Sequence, residues 1–252
     1  MGTSASSKGP GSGVPLVPAW VDSDPAVAQP GRFRSARTNL GSFAKSGTED
    51  SLKRGLGHYT RSGLGGSAIG TMRMGRTTAA AGSFADVLSA LRDGSPLPLN
   101  IPLDPATLTG KSQQEIADAI IDAVTPTDGS QDAESSRDSA ARAFAEVLEI
   151  NPTADLTALP QDMVELFFER FLANDLVARI QLDVGKAVLD RAKDAATAVQ
   201  RLETMQSFVK QEFSRAVLAL KDAGQRLQQG NGKELGAAAL KATLDVFEGW
   251  LK

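Results

Sequence analysis

The chain has 252 residues, 41% of them apolar and only 5% aromatic, with 24 glycines, 12 prolines, no cysteine, one histidine and a formal net charge of -3. That length suffices for one large or two small domains with a real core, and abundant alanine with few aromatics favours helices packed through small residues. Disulfides, thiolate metal centres and cysteine nucleophiles are excluded, and a histidine metal site or a Ser-His-Asp triad would hang on His58 alone. No apolar run approaches the roughly 18 to 20 residues of a membrane span, and the N-terminus lacks the charged and apolar regions of a signal peptide, so a soluble, cytoplasmic protein is expected.

In chain order, the first segment is a Gly/Ser/Pro-rich tail over residues 1–31, too poor in apolar groups to offset the entropy of ordering, and it is read as disordered. It contains one apolar, proline-spaced stretch, Val14, Pro15, Leu16, Val17, Pro18 and Trp20, which reads as a peptide to be held by a partner. Met1-Gly2 with Ser6 also fits the short N-myristoylation pattern, which carries little weight. Gly2 is small enough for removal of Met1, which frees an α-amine with a pKa of roughly 7.7–8.0, partly neutral and nucleophilic near neutrality.

Residues 32–93 form a basic region of short helices. Between Arg32 and Arg76 stand nine Lys or Arg residues against Glu49 and Asp50 only, so the remainder of the chain is acidic. Phe33, Ala36, Leu40 and Phe43 fall at helical spacing, with Ser46-Gly47 as the stop. A second helix is predicted over Glu49–Arg61, with Gly55 and Gly57 inside it marking a turn or a close packing contact. After Ser62–Ser67 a longer helix is predicted from Ser67 to Arg92, burying Ile69, Met72, Ala79, Phe84, Val87, Leu88 and Leu91. Residues 94–111, with Pro96, Pro98, Pro102 and Pro105, are a connection in which no helix can propagate, and they are the expected boundary with the body.

The acidic body, 112–252, reads as helix throughout. Ser112 with Glu115 forms a capping box ahead of Ile116, Ile120, Ile121 and Val124. A helix over Ala133–Glu149 follows, then one beginning near Pro160 whose apolar residues, including Phe167, Phe168 and Phe171, run round much of its circumference and predict a central position. From Val188 through Ala195, Val199, Val209, Phe213 and Ala216 to Leu227 the apolar positions alternate steps of four and three, with Gln206 as the exception, predicting one helix over Gly185–Gln229, about 65 Å long at about 1.5 Å per residue. Gly230–Gly232 turns the chain into a last helix over Lys233–Leu251. The expected fold is therefore an all-α helical bundle with a long antiparallel helical arm. The seam along that arm is read as packing within the chain, with pairing to a second copy as the alternative.

Chemistry is sparse in this pattern. The glycine-rich run Gly55–Ser67 has no preceding strand and no Gly-Lys-Ser/Thr ending, so neither a P-loop nor a dinucleotide fingerprint is supported. His58 reads as an imidazole satisfying a hydrogen bond between packed helices, and the pairs Asp118/Asp122 and Glu165/Glu169 as solvated helix faces. No catalytic residue, metal site or cofactor is assigned, and the chain is expected not to be an enzyme. Arg32, Arg34, Arg37, Arg54, Arg61, Arg73 and Arg76, with aromatics among them, are candidate nucleic-acid contacts, although the spacing of Phe33, Phe43 and Tyr59 places those rings in the core.

Several spaced motifs carry a resemblance: Met1-Gly2-Thr3-Ser4 with Gly9-Pro10, Val14–Pro18 with Trp20, Pro30–Arg34, Arg54–Tyr59 and Gly63–Ser67. Together they resemble the QatB family of the Qat bacterial anti-phage defence system. The resemblance covers the front of the chain, and the acidic body shows no motif that matches. It implies an operon with a P-loop ATPase, an enzyme similar to QueC-type 7-cyano-7-deazaguanine synthases and a TatD-like nuclease. A QueC-like enzyme activates a carboxylate with ATP and delivers it to an amine. The resemblance therefore implies a tail anchored through Val14–Trp20 and modified at Gly2 by that partner, with an adaptor binding nucleic acid through Arg32–Arg76 as the alternative.

Overall fold

The computed structural model describes Pro15 and residues 28–127, 129 and 131–251. Gly2 and the rest of Val14–Trp20 lie outside the described residues, and Pro15 is exposed. Among the described residues the regular structure is helical, with no strand, and no helix is long and apolar enough to cross a membrane. The chain divides into two compact units interleaved in sequence: Met1–Met74, Arg179–Glu212 and Leu240–Lys252 form the first, Gly75–Ala178 and Phe213–Ala239 the second. The division thus falls at Met74, ahead of the proline-rich connection at 94–111, and Gly75–Asp93 belongs with body segments.

In the first unit, α1 (Arg34–Ser46) ends where Gly47 adopts φ 71° and donates its N–H to the Phe43 carbonyl, as Ser46-Gly47 predicts. Helix α2 (Glu49–His58) follows, and the predicted continuation to Arg61 becomes a π-helical turn over Tyr59–Leu64. Phe33, Ala36, Leu40, Phe43, Leu52, Leu56 and Tyr59 are all buried, so the aromatics of the basic region are core. Helix α3 (Ser67–Arg73) completes the N-terminal part of this unit.

The single helix expected over Ser67–Arg92 is in fact two, because the chain breaks at Met74 before α4 (Gly75–Asp93). The break turns Met74 inward, where it is buried, and resets the phase of burial: Met72 and Ala79 are exposed, while Thr77, Thr78 and Ala81 are covered. Polar threonines thus occupy positions that a hydrophobicity pattern leaves out. Thr77 Oγ1 donates to Asp175 at 2.5 Å, and Ser136 Oγ donates to the same buried carboxylate at 3.1 Å.

The second unit runs from α4 through a short 3-10 turn at Pro105–Leu108 to α5 (Gln113–Val124), α6 (Gln131–Ile150) and α7 (Gln161–Ile180). The capping box is formed as read: Ser112 accepts from the Glu115 N–H, and the Glu115 carboxylate accepts from the Ser112 N–H at 2.8 Å. The Ser112 hydroxyl, which also donates to that carboxylate at 2.6 Å, and the Ser112 N–H hold the Glu115 carboxyl below its ordinary value. Phe84 of α4, Phe144 of α6 and Phe167 and Phe171 of α7 gather into one fully covered cluster, with ring centroids 4.3–6.4 Å apart. Residues 164, 167, 168 and 171–177 of α7 are all buried, as its all-round apolar sequence requires.

The long helix predicted over Gly185–Gln229 is broken into two helices and ends short of Gln229. A π-helical turn, Gln181–Gly185, leads into α8 (Lys186–Leu189), and after a break at residues 190–194 comes α9 (Ala195–Asp222), followed by α10 (Gly232–Gly249). Local hydrogen bonding sets both ends of α9. Asp194 accepts from the Thr197 N–H at 2.7 Å, an N-cap start. At the other end Gly224, at φ 82°, donates to the Lys221 carbonyl while Gln225 donates to that of Leu220, a Schellman stop. At 28 residues α9 is about 42 Å long. Of the predicted seam, Ala195 and Val199 are exposed, whereas Val209, Phe213 and Ala216 are buried as read; Ala198 and Met205, off the seam, are buried as well.

Candidate functional site

The groups that the first unit gathers most closely sit on its two π-helical turns. Such turns carry one residue more than an α-turn and are frequent at functional positions. Here they bring together residues far apart in the chain. Tyr59, the first residue of one turn, donates its hydroxyl to Asp183 Oδ2, in the other, at 3.0 Å. From α1, Arg37 Nη2 donates to the Asp183 backbone carbonyl at 3.1 Å. Phe33, immediately before α1, stacks on Tyr59 at 5.7 Å. The Arg32 and Arg37 guanidiniums lie over the Phe33 ring at 4.8 and 5.8 Å.

Arg73, the last residue of α3, is electrostatically coupled to Arg32, Tyr59 and Asp183, and Arg179 is coupled to Tyr59 and Asp183. One carboxylate therefore faces several guanidiniums. Arg32 is 8% exposed. Its Nε and Nη2, together with Arg37 Nε and Arg73 Nη1, are buried donors without a hydrogen-bond acceptor. A buried, unsatisfied donor costs about 1–3 kcal/mol, and a charged one more.

The titration behaviour of the cluster points the same way. Burial lowers the Arg32 pKa, the like charge of Arg73 lowers it further, and Asp183 and Tyr59 oppose the shift without cancelling it. Arg37 is lowered by burial against the pull of Asp183. Burial raises Tyr59 well above its ordinary value, with the Asp183 charge adding to the rise. The Asp183 carboxyl is also raised by burial, against the Tyr59 hydrogen bond and the Arg73, Arg179 and Arg32 charges. Each of these groups is shifted toward its neutral form. Desolvation outweighs mutual pairing, so as a purely structural device the cluster is unfavourable.

One consequence is measurable. The folded pKa of Asp183 lies above its unfolded value of 3.8, so its contribution to stability is fully present below pH 3.8 and is lost as pH rises through the folded pKa. Asp183→Asn keeps an acceptor for the Tyr59 hydroxyl but removes the ionisation. The variant is expected to be more stable than the parent in urea at pH 7, and the gap should close on acidification toward pH 4. A gap that widens in acid would mean that the arginines, rather than burial, dominate the Asp183 carboxyl.

Of the seven arginines singled out in the sequence, Arg32, Arg37 and Arg73 belong to this cluster. Arg54 is exposed and pairs with Asp50 one turn back at 3.2 Å. Arg61 lies 4.0 Å from Glu248, whose other oxygen accepts from the Ser67 N–H at the start of α3. Arg34 and Arg76 are exposed, Arg76 in the second unit. His58 is half-buried at the last residue of α2. Asp118 and Asp122 are exposed, as read, with Asp122 paired to Arg137. Glu165 and Glu169 are not solvated: both are half-buried, Glu165 paired to Lys221 at 2.6 Å and Glu169 accepting from Ser214. Sequence reasoning missed Asp183 and Arg179. Asp183 stands 124 residues from Tyr59 and 146 from Arg37, and no spacing signal spans that distance. Among the described residues there is no group of His, Cys, Asp or Glu arranged to hold a metal ion.

The family model for the Qat anti-phage system associated protein QatB matches residues 65–247. No curated protein matches the chain, and no solved structure does. The matched stretch begins inside the Gly63–Ser67 motif and runs through α3 into α10, so it takes in the end of the basic front and nearly all of the body, in which the sequence shows no motif of its own. It includes Arg73, Arg179 and Asp183 of the cluster; Arg32, Arg37 and Tyr59 stand before it. Since the match covers well over half of the chain, this protein belongs to the QatB family of the Qat anti-phage system.

Proposed function

We propose that this component of the Qat anti-phage system is not an enzyme, and that its N-terminal tail is the substrate of a QueC-like partner, with the helical body as carrier. In this reading Val14, Pro15, Leu16, Val17, Pro18 and Trp20 dock in a groove of the partner, and Gly2 enters its active site. The Gly2 amine nitrogen attacks the activated carboxyl carbon of a deazaguanine-type base. A C–N bond forms, the activating group leaves with its bonding pair, and the amine gives up a proton. Family membership is the observation that carries the reading. The sequence of the tail agrees with it: small residues at Thr3, Ser4 and Ala5 suit a deep pocket, and an extended proline-rich segment loses little entropy on docking. The reaction takes place in the cytoplasm, together with the ATPase and nuclease of the system.

Intact mass after co-expression with the QueC-like partner tests this. The expected result is a mass increase that is absent from a variant lacking Gly2. An unchanged mass, or the same increase in that variant, refutes modification at Gly2.

The alternative is an adaptor that binds nucleic acid through the basic region and recruits the ATPase and nuclease. What favours it is the concentration of guanidinium donors at Arg32, Arg37 and Arg73. Reversing Arg54 and Arg61 to Glu should then weaken salt-sensitive binding to DNA or RNA, and no binding at low salt removes the adaptor reading.

A further inference from the structure

We infer that Arg32, Arg37 and Arg73, gathered around Asp183 and Tyr59, form a binding site for a terminal phosphate monoester. Arg32, Arg37, Arg73 and Arg179 face the one carboxylate of Asp183, an excess of positive charge, and a phosphate monoester, which carries about two negative charges near neutral pH, offsets more of it than an internal phosphodiester with one. The donors without acceptors are Arg32 Nε and Nη2, Arg37 Nε and Arg73 Nη1, four N–H-bearing atoms from three side chains. The three terminal oxygens of a monoester offer enough lone pairs for all four, whereas a carboxylate presents two oxygens. Guanidinium forks match phosphate oxygens in geometry as well as charge.

The setting holds the donors in place. Arg32 and Arg37 are stacked on Phe33, which is stacked on Tyr59, so two of the three guanidiniums are oriented before any ligand arrives. Asp183 fixes Arg37 through its backbone carbonyl and keeps its own carboxylate engaged by the Tyr59 hydroxyl. Both acceptors belong to a residue on a π-helical turn, a local geometry that regular helix would not supply. An arginine cluster held this way costs stability when empty, and a bound dianion removes that cost.

Terminal monoesters come from two sources, a free nucleotide and the phosphorylated end of a nucleic-acid strand. Titration calorimetry with the full chain distinguishes them, using adenosine 5′-monophosphate, a short 5′-phosphorylated oligonucleotide and the same oligonucleotide with a 5′-hydroxyl. Binding of the nucleotide assigns a small-molecule ligand, and binding of the phosphorylated strand alone assigns a strand end. Either supports the site, provided that the 5′-hydroxyl strand binds at least about tenfold more weakly, a difference of about 1.4 kcal/mol. Arg73→Met should weaken binding by about tenfold or more while leaving the melting temperature of the free protein unchanged or higher, and Arg54→Gln should leave binding intact. Failure of all three probes to bind at about 1 mM overturns the proposal. Equal binding of the two strands overturns it as well, since the phosphodiester backbone is then what is recognised. A fall in melting temperature for Arg73→Met with binding unchanged assigns the cluster a structural role and also overturns it.

Discussion

Phe84→Ala is expected to destabilise the protein by about 3–5 kcal/mol, the usual cost of truncating a core phenylalanine. Phe84 is fully buried, with its ring centroid 5.1 Å from Phe171, 5.2 Å from Phe167 and 6.4 Å from Phe144. These rings come from three helices, so one truncation opens a cavity that no single helix can close by shifting. Each edge-on ring contact is worth about 0.5–1.5 kcal/mol beyond area burial, and Phe84 makes three. Domains have only about 5–15 kcal/mol in total, so a large share of the stability should go. Urea titration should show a lower midpoint, and the melting temperature should fall by about 10 °C at about 2–4 °C per kcal/mol. Leu99→Ala, at a residue 107% exposed, should change stability by less than about 0.5 kcal/mol. A loss below about 1 kcal/mol for Phe84→Ala would contradict a shared aromatic core.

Gly63→Val is expected to cost about 3 kcal/mol and to disable the arginine cluster as well, the upper end of what overpacking exacts. A Cβ at Gly63, in the first π-helical turn, would stand 2.4 Å from Phe33 Cε1 and 2.5 Å from Cδ1. Phe33 is 1% exposed and stacked on the fully buried Tyr59, so the ring has nowhere to retreat. Any displacement of Phe33 moves the surface on which Arg32 and Arg37 rest. The variant should therefore lose phosphate binding together with stability. Gly75→Ala, where an added Cβ meets nothing within 4 Å, should leave both readouts close to the parent. Retention of full stability in Gly63→Val would mean that Phe33 is not held against this turn.

Much of the secondary structure was legible because its determinants are local. The capping box at Ser112 and Glu115, the stop at Gly47, and Pro160 ahead of α7 each act within a few residues, so their partners are visible in the sequence. The burial of Phe33, Phe43 and Tyr59 was equally legible, because a three- and four-residue repeat of apolar groups has only one inward face. Breaks that depend on what a residue packs against were not. Met74 interrupts the expected helix by turning into the core, and the stretch between Asp190 and Asp194 cuts the apparent heptad run, although the apolar repeat continues through both. Periodicity records which residues prefer burial; a helix can stop and restart in a new phase without disturbing that record.

The candidate site divides along the same line. The sequence by itself determined that positive charge is concentrated between Arg32 and Arg76, that its aromatics are core, and that no cysteine chemistry is available. Only the tertiary structure decided which arginines are gathered together. Arg54 finds Asp50 one turn back on its own helix, whereas Arg32, Arg37 and Arg73 converge on Asp183, which arrives from more than a hundred residues away on a second π-helical turn. A short-range ion pair is set by the 3.6-residue helical repeat and can be read from the sequence. Burial of a guanidinium, and the absence of an acceptor for its donors, are set by the chain segments that close over it.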